Sequence, residues 1–135
     1  MMMNEKKLIV SQTPIAQPRP RVTRWGTFDP AKDKKNFTRL QIQDQISEKL
    51  DCPIEIDMRF FMPIPKSTSK KKAKLMQENI IKHTKRPDCD NLFKFFTDSM
   101  NDLVYKDDSQ IYKIYIEKRY SEDPRTEIIV RWYDE

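Results

Sequence analysis

Apolar and charged residues alternate without a break in Ile54-Glu55-Ile56-Asp57-Met58-Arg59-Phe60, the period-two pattern of a half-buried strand. Ile54, Ile56, Met58 and Phe60 are expected to face a core, and Met62-Pro63-Ile64-Pro65 breaks the run. Alternation returns from Ile111 to Arg119, with Tyr112, Ile114 and Ile116 on one side, and from Thr126 to Tyr133, with Ile128, Val130 and Trp132. The turn-forming Ser121-Glu122-Asp123-Pro124 between them predicts a hairpin. Leu8-Ile9-Val10 predicts a first short strand that closes at Pro14. The period changes in Leu92, Phe96, Met100 and Leu103, which predict one stripe of a helix from about Asn91 to Val104. Phe93 and Phe95 widen that stripe, and Lys94, Asp98 and Asp102 fall opposite it.

Two further helices follow from start and stop signals. Asp29-Pro30 reads as an N-cap and first helical residue, opening a helix from Ala31 to about Leu50 with Phe37, Leu40, Ile46 and Leu50 loosely on one face. It should end before Cys52-Pro53, because the residue preceding a proline disfavours helix. Ser67-Thr68-Ser69 predicts the cap of a helix from Lys70 to about Lys82, with Leu75, Met76, Asn79 and Ile80 inward. Gln17 to Gly26 is held extended by Pro18 and Pro20. Gly26 marks a turn, and Trp25 beside it is either core or a base-stacking aromatic.

The chain's 135 residues and 16.3 kDa suit one domain, residues 1–135. The absence of a long apolar run excludes a membrane-spanning protein, and Met1-Met2-Met3-Asn4-Glu5-Lys6-Lys7 leads into an apolar run too short for a signal core. Cys52 and Cys89 are expected to be reduced thiols in a cytoplasmic protein. The net charge of +5 is unevenly placed. Residues 66–86 carry seven lysines and one arginine against Glu78, 8 − 1 = +7, which leaves 5 − 7 = −2 elsewhere. Lys70, Lys71, Lys72, Lys74, Lys85 and Arg86 are therefore candidates for phosphate contact, against the plainer reading of a solvated helix face. Arg19 and Arg21 share one face of an extended segment; they suit phosphate recognition, and equally an edge strand blunted by charge.

The acidic residues concentrate where this basic run ends, in Arg86-Pro87-Asp88-Cys89-Asp90-Asn91-Leu92-Phe93-Lys94 and in Lys106-Asp107-Asp108-Ser109-Gln110. Aspartates one residue apart can direct two carboxylates at one point, as a hard divalent cation requires. Lys94 follows Asp90 by one helical turn. Other chemistries fit poorly. An EF-hand would need glycine at Phe93 and glutamate at Ser99, a hydrolase triad has only His83 to draw on, and one glycine in the chain cannot build a phosphate loop. The plain alternative is that Asp88 caps a helix while Asp107-Asp108 forms a turn.

Taken together, these two strings and Pro18-Arg19-Pro20-Arg21 resemble RusA, the family of phage-derived Holliday-junction resolvases. The resemblance implies a compact α+β fold, a mixed or antiparallel sheet packed with about three helices, and a homodimer. It implies that Asp88, Asp90 and Asp108 are metal-binding carboxylates, with Asp107 as an acidic neighbour and further candidate ligand, and that Lys94 is catalytic. The implied cofactor is Mg²⁺, with Mn²⁺ as alternative. The implied substrate is branched DNA, four-way junctions above all, nicked to leave 5′-phosphate ends. A non-catalytic branched-DNA-binding protein is the alternative from another class; a nucleotidyltransferase would want a Gly-Ser element that the chain lacks.

Overall fold

The computed structural model describes residues 2–18 and 21–133 and, of Arg21, the backbone only. A four-stranded mixed sheet carries the chain, in the order β1 (Met3–Val10), β6 (Arg125–Tyr133), β4 (Ile54–Pro63), β5 (Ile111–Ser121). β4 is antiparallel to β6 and parallel to β5. The predicted hairpin of the last two strands is therefore corrected: β4 lies between them, and the Glu122–Pro124 connection crosses its end. The reason is burial. β4 is the most apolar strand, with Ile54, Ile56, Met58 and Phe60 all at or below 1% exposure, and it takes the position flanked on both sides.

Helices α1 (Lys32–Gln43) and α3 (Cys89–Met100) cover one face of the sheet, and α2 (Lys70–Gln77) packs against β5. Leu92, Phe95, Phe96 and Met100 of α3 meet Leu8, Val10, Ile42, Met58, Phe60 and Ile128 in one core. This is the single α+β domain that the patterning and the resemblance led one to expect.

The other face of the sheet is a lattice of paired charges. Glu127 joins Lys7 and Arg125, Arg131 joins Glu5 and Asp57, and the Arg125 guanidinium lies 3.8 Å from the ring centre of Phe61.

Helices α1 and α2 end earlier than expected. α1 stops at Gln43, and Leu50 instead bridges to Tyr105. Phe37 and Leu40 are exposed, because α1 docks through Thr38 and Ile42 and through Arg39, which donates to the carbonyls of Ser99 (2.8 Å) and Asn101 (2.7 Å) at the end of α3. α2 ends at Gln77; Asn79 takes a positive φ of 59° and Ile80 is exposed. On β5, the register shifts by one residue near its start, so Tyr112 leaves the side of Ile114 and Ile116 and its hydroxyl donates to Glu55 (3.0 Å). A bulge of this kind reverses side-chain alternation locally. A second, two-stranded sheet of β2 (Arg21–Thr23) and β3 (Gly26–Phe28) forms from the proline-arginine segment.

Candidate functional site

Asp88 occupies the N-cap of α3 with extended backbone (φ −72°, ψ 152°), yet its carboxylate accepts no capping hydrogen bond. The plain structural reading of this residue required such a bond. Asp88 and Asp90 are exposed on the first turn of α3, and among the described residues neither carboxylate enters an ion pair or side-chain hydrogen bond. The chain leading into them is pinned from the sheet: the Lys118 ammonium on β5 donates to the carbonyls of Lys85 (2.7 Å) and Pro87 (2.9 Å). Lys118 escapes a sequence reading because it sits in an ordinary alternating strand.

The second acidic string folds as a single 3₁₀ turn, Asp108–Gln110. Its two aspartates divide the labour. Asp107 caps the turn, its carboxylate accepting from the Ser109 amide (3.1 Å); the Ser109 side chain and then that amide hold its pKa below the usual carboxylate value. Asp108 is exposed, and its carboxylate makes no ion pair or side-chain hydrogen bond among the described residues. Gln110 clamps the whole loop. Its side-chain oxygen accepts from the amides of Lys106 (2.9 Å) and Asp107 (3.0 Å), while its nitrogen donates to the carbonyls of Leu50 (3.1 Å) and Cys52 (3.0 Å).

Lys94 lies one helical turn beyond Asp90 on α3. Its ammonium donates to Asp98 (2.9 Å), and that bond, opposed by partial burial and aided by the charges of Asp98 and then Asp108, lifts its pKa above the ordinary lysine value. Lys94 is thus a fixed cation, suited to stabilising negative charge rather than to accepting a proton. Asp98 also faces Lys35 (3.4 Å), which in turn is bonded to Asp29. The Asp29 carboxylate, held low by Lys35 and by the Ala31 amide (2.9 Å), accepts from the Gln17 side chain (3.2 Å), and the Gln17 amide donates to the Asn91 carbonyl (3.0 Å). A continuous polar network therefore links the catalytic candidate to the base of the β2–β3 hairpin. Lys35 and Asp29 were invisible as members of it, since long-range ion pairs leave no periodic trace in the sequence.

Among the described residues no three His, Cys, Asp or Glu side chains are close enough together to hold a metal ion. Asp88 and Asp90 both lie at the first turn of α3, and Asp108 lies on a separate loop, near enough for its charge to act on Lys94 and on the buried Tyr105 hydroxyl. That hydroxyl is pushed far above the ordinary tyrosine value, chiefly by burial, and donates to the Thr97 carbonyl (2.8 Å). The donor chemistry itself fits a hard cation: exposed carboxylate oxygens that nothing else neutralises.

Lys70, Lys71, Lys72 and Lys74 are exposed on α2, and Lys85 and Arg86 are exposed just before Asp88. None of the six forms an ion pair among the described residues. Arg19 lies outside the described residues; Arg21 opens β2. His83 packs against Tyr120 with the rings tilted by 56° (centres 4.7 Å apart), and burial and then Lys118 lower its pKa. No helix is long and apolar enough to cross a membrane.

Comparison with known proteins gives the class, that of the DNA endonucleases. The family model described as "Endodeoxyribonuclease RusA" matches residues 12–131, and the chain belongs to that family. It is also similar to a Bacillus subtilis (strain 168) protein, "Uncharacterized protein YqaN", with 38% identity over 134 residues, 93% of this chain and 94% of the other.

Proposed function

We propose that this endonuclease is a divalent-metal-dependent resolvase, acting as a homodimer in the cytoplasm on four-way DNA junctions during recombination and repair. The observation that supports this best is Asp88, placed where a helix cap belongs and left uncapped. An aspartate that neither caps nor pairs in a protein rich in ion pairs is available for a ligand. Asp88, Asp90 and Asp108 would hold Mg²⁺ (or Mn²⁺), with Asp107 keeping its turn-capping role instead of ligating.

When bound, the cation supplies an activated water and neutralises phosphate charge. The chain's own residues do the rest. Lys94, kept protonated by Asp98, faces the charge that grows on the scissile phosphate and stabilises it. Lys118 fixes the backbone entering Asp88, so the first-turn carboxylates keep their aim. Gln110 holds Asp108's loop on the body of the domain. The lysines of α2 with Lys85 and Arg86 bind phosphates flanking the cut, and binding should weaken steeply with salt. Two sites related by a two-fold axis match the near-symmetry of a four-way junction and permit paired nicks on opposed strands, leaving 5′-phosphate and 3′-hydroxyl ends.

One observation favours the non-catalytic reading: the carboxylates do not form a three-ligand group in this structure. Incubating the protein with an end-labelled synthetic four-way junction, with and without Mg²⁺, separates the two. Paired nicks at symmetric positions that need the cation support the resolvase. Tight junction binding with no cleavage in Mg²⁺ or Mn²⁺ makes it a binding protein instead.

A further inference from the structure

Trp25 is 85% exposed at the tip of the β2–β3 hairpin, and Val22 and Phe28 on the same hairpin are exposed at 80% and 48%. None of residues 22–28 joins the core, and the hairpin forms no part of the main sheet. Yet the tip is ordered by its own bonds. The Trp25 amide donates to the Thr23 hydroxyl (3.2 Å), which donates to the Gly26 carbonyl (3.1 Å), and Gly26 takes a φ of +129° that a side chain would resist. The Arg24 guanidinium lies over one face of the indole, 5.0 Å from its centre. The stem is tied at Gln17 and Asp29 to Asn91, in the first turn of α3 beside Asp90.

We propose that this hairpin is a stacking arm for nucleobases at the branch point of the DNA, with Trp25 as its platform and as a determinant of branched over linear substrates. The inference rests on the DNA-junction reading above and adds to it the residue that senses the branch. Three observations select a base as the occupant. Residues 21–28 hold two arginines and no acidic residue, so the arm is cationic as well as aromatic. An indole with a guanidinium over one face and 85% of its surface exposed presents a flat surface of the kind that unstacked bases seek. The stem starts at the candidate catalytic helix, so an arm engaged with the branch sets the distance from branch to cut. In linear duplex the bases are stacked on one another and offer the platform nothing, whereas a branch point exposes base faces.

The test uses the full chain and a synthetic four-way junction in metal-free buffer with chelator, where nothing is cut. Junction binding is followed by anisotropy of a labelled strand, and tryptophan emission is read in parallel for the wild type and Trp25→Ala; the difference isolates Trp25 from Trp132. Emission from Trp25 should be quenched on saturation with junction. Trp25→Ala should bind junction about tenfold more weakly, bind linear duplex within about twofold of the wild type, and melt at the same temperature. Trp25→Phe should recover most of the loss. Unquenched Trp25 in a saturated complex, or Trp25→Ala binding junction as the wild type does, overturns the arm while leaving the nuclease reading intact. A dimer that falls apart in Trp25→Ala on sedimentation makes the arm a subunit contact and also overturns it. No binding to any branched DNA overturns both readings.

Discussion

The sheet's open face and the start of α3 carry similar numbers of charges and use them in opposite ways. On the open face, Lys7, Glu127, Arg125, Glu5, Arg131 and Asp57 neutralise one another. Around α3, the carboxylates of Asp88, Asp90 and Asp108 make no ion pair or side-chain hydrogen bond among the described residues although Lys85, Arg86 and Lys106 are close in sequence, and Lys106 turns to Asp51 instead (2.8 Å). Charges that exist to keep a protein folded find partners within it. Charges left unpaired beside a basic surface are held for something that arrives from solution.

If that contrast is right, the two regions respond differently to the same chemical change. Asp88→Asn, Asp90→Asn and Asp108→Asn should each lower junction cleavage by at least about a hundredfold, with junction affinity unchanged or improved as repulsion from phosphate falls; a single-turnover assay and a mobility shift read the two. Asp107→Asn sharpens the point. Asparagine caps a turn about as well as aspartate, so stability should be kept and cleavage should fall far less than with its neighbour. Replacing Lys70, Lys71, Lys72 and Lys74 together by alanine should flatten the slope of log affinity against log salt by about 3 to 4, measured by anisotropy across a salt series. Gln110→Ala should destabilise the fold by about 1–3 kcal/mol in urea denaturation, since four backbone groups lose their partner. On the open face, Glu127→Gln should lose about 1 kcal/mol or less and leave cleavage alone.

The smallest effect concerns pH. His83 has its folded pKa below the ordinary value of 6.5, through burial and then Lys118. The unfolded chain therefore takes up a proton first as pH falls, so His83's contribution to stability is complete above about pH 6.5 and declines below it. His83→Phe should make the urea midpoint less sensitive to pH between about 7 and 5 than it is in the wild type. An unchanged pH dependence would remove His83 from the explanation.

Strand and helix identities were legible wherever one face is buried, as in β4 and α3, because periodicity reports burial directly. Legibility failed where tertiary bonds decided the outcome. Phe37 and Leu40 look like a core stripe, but Arg39 and Lys35 dock α1 through polar bonds and turn those residues outward. The last two strands look like a hairpin because their turn is short, and only the long-range pairing of β4 shows otherwise. At the candidate site, the acidic strings stood out by composition and motif. The unequal roles of Asp107 and Asp108, the pinning by Lys118 and the chain of contacts from Lys94 to Gln17 did not, since each depends on partners dozens of residues away.

The central claim is that free carboxylates on two separate elements close on one cation. Titrating Mn²⁺ into DNA-free protein, with free Mn²⁺ followed by its electron paramagnetic resonance signal, tests it most directly. Wild-type protein should take up the ion, Asp90→Asn and Asp108→Asn should each lose at least about tenfold in affinity, and Glu127→Gln should match the wild type. Asp108→Asn binding Mn²⁺ as tightly as the wild type would contradict the claim.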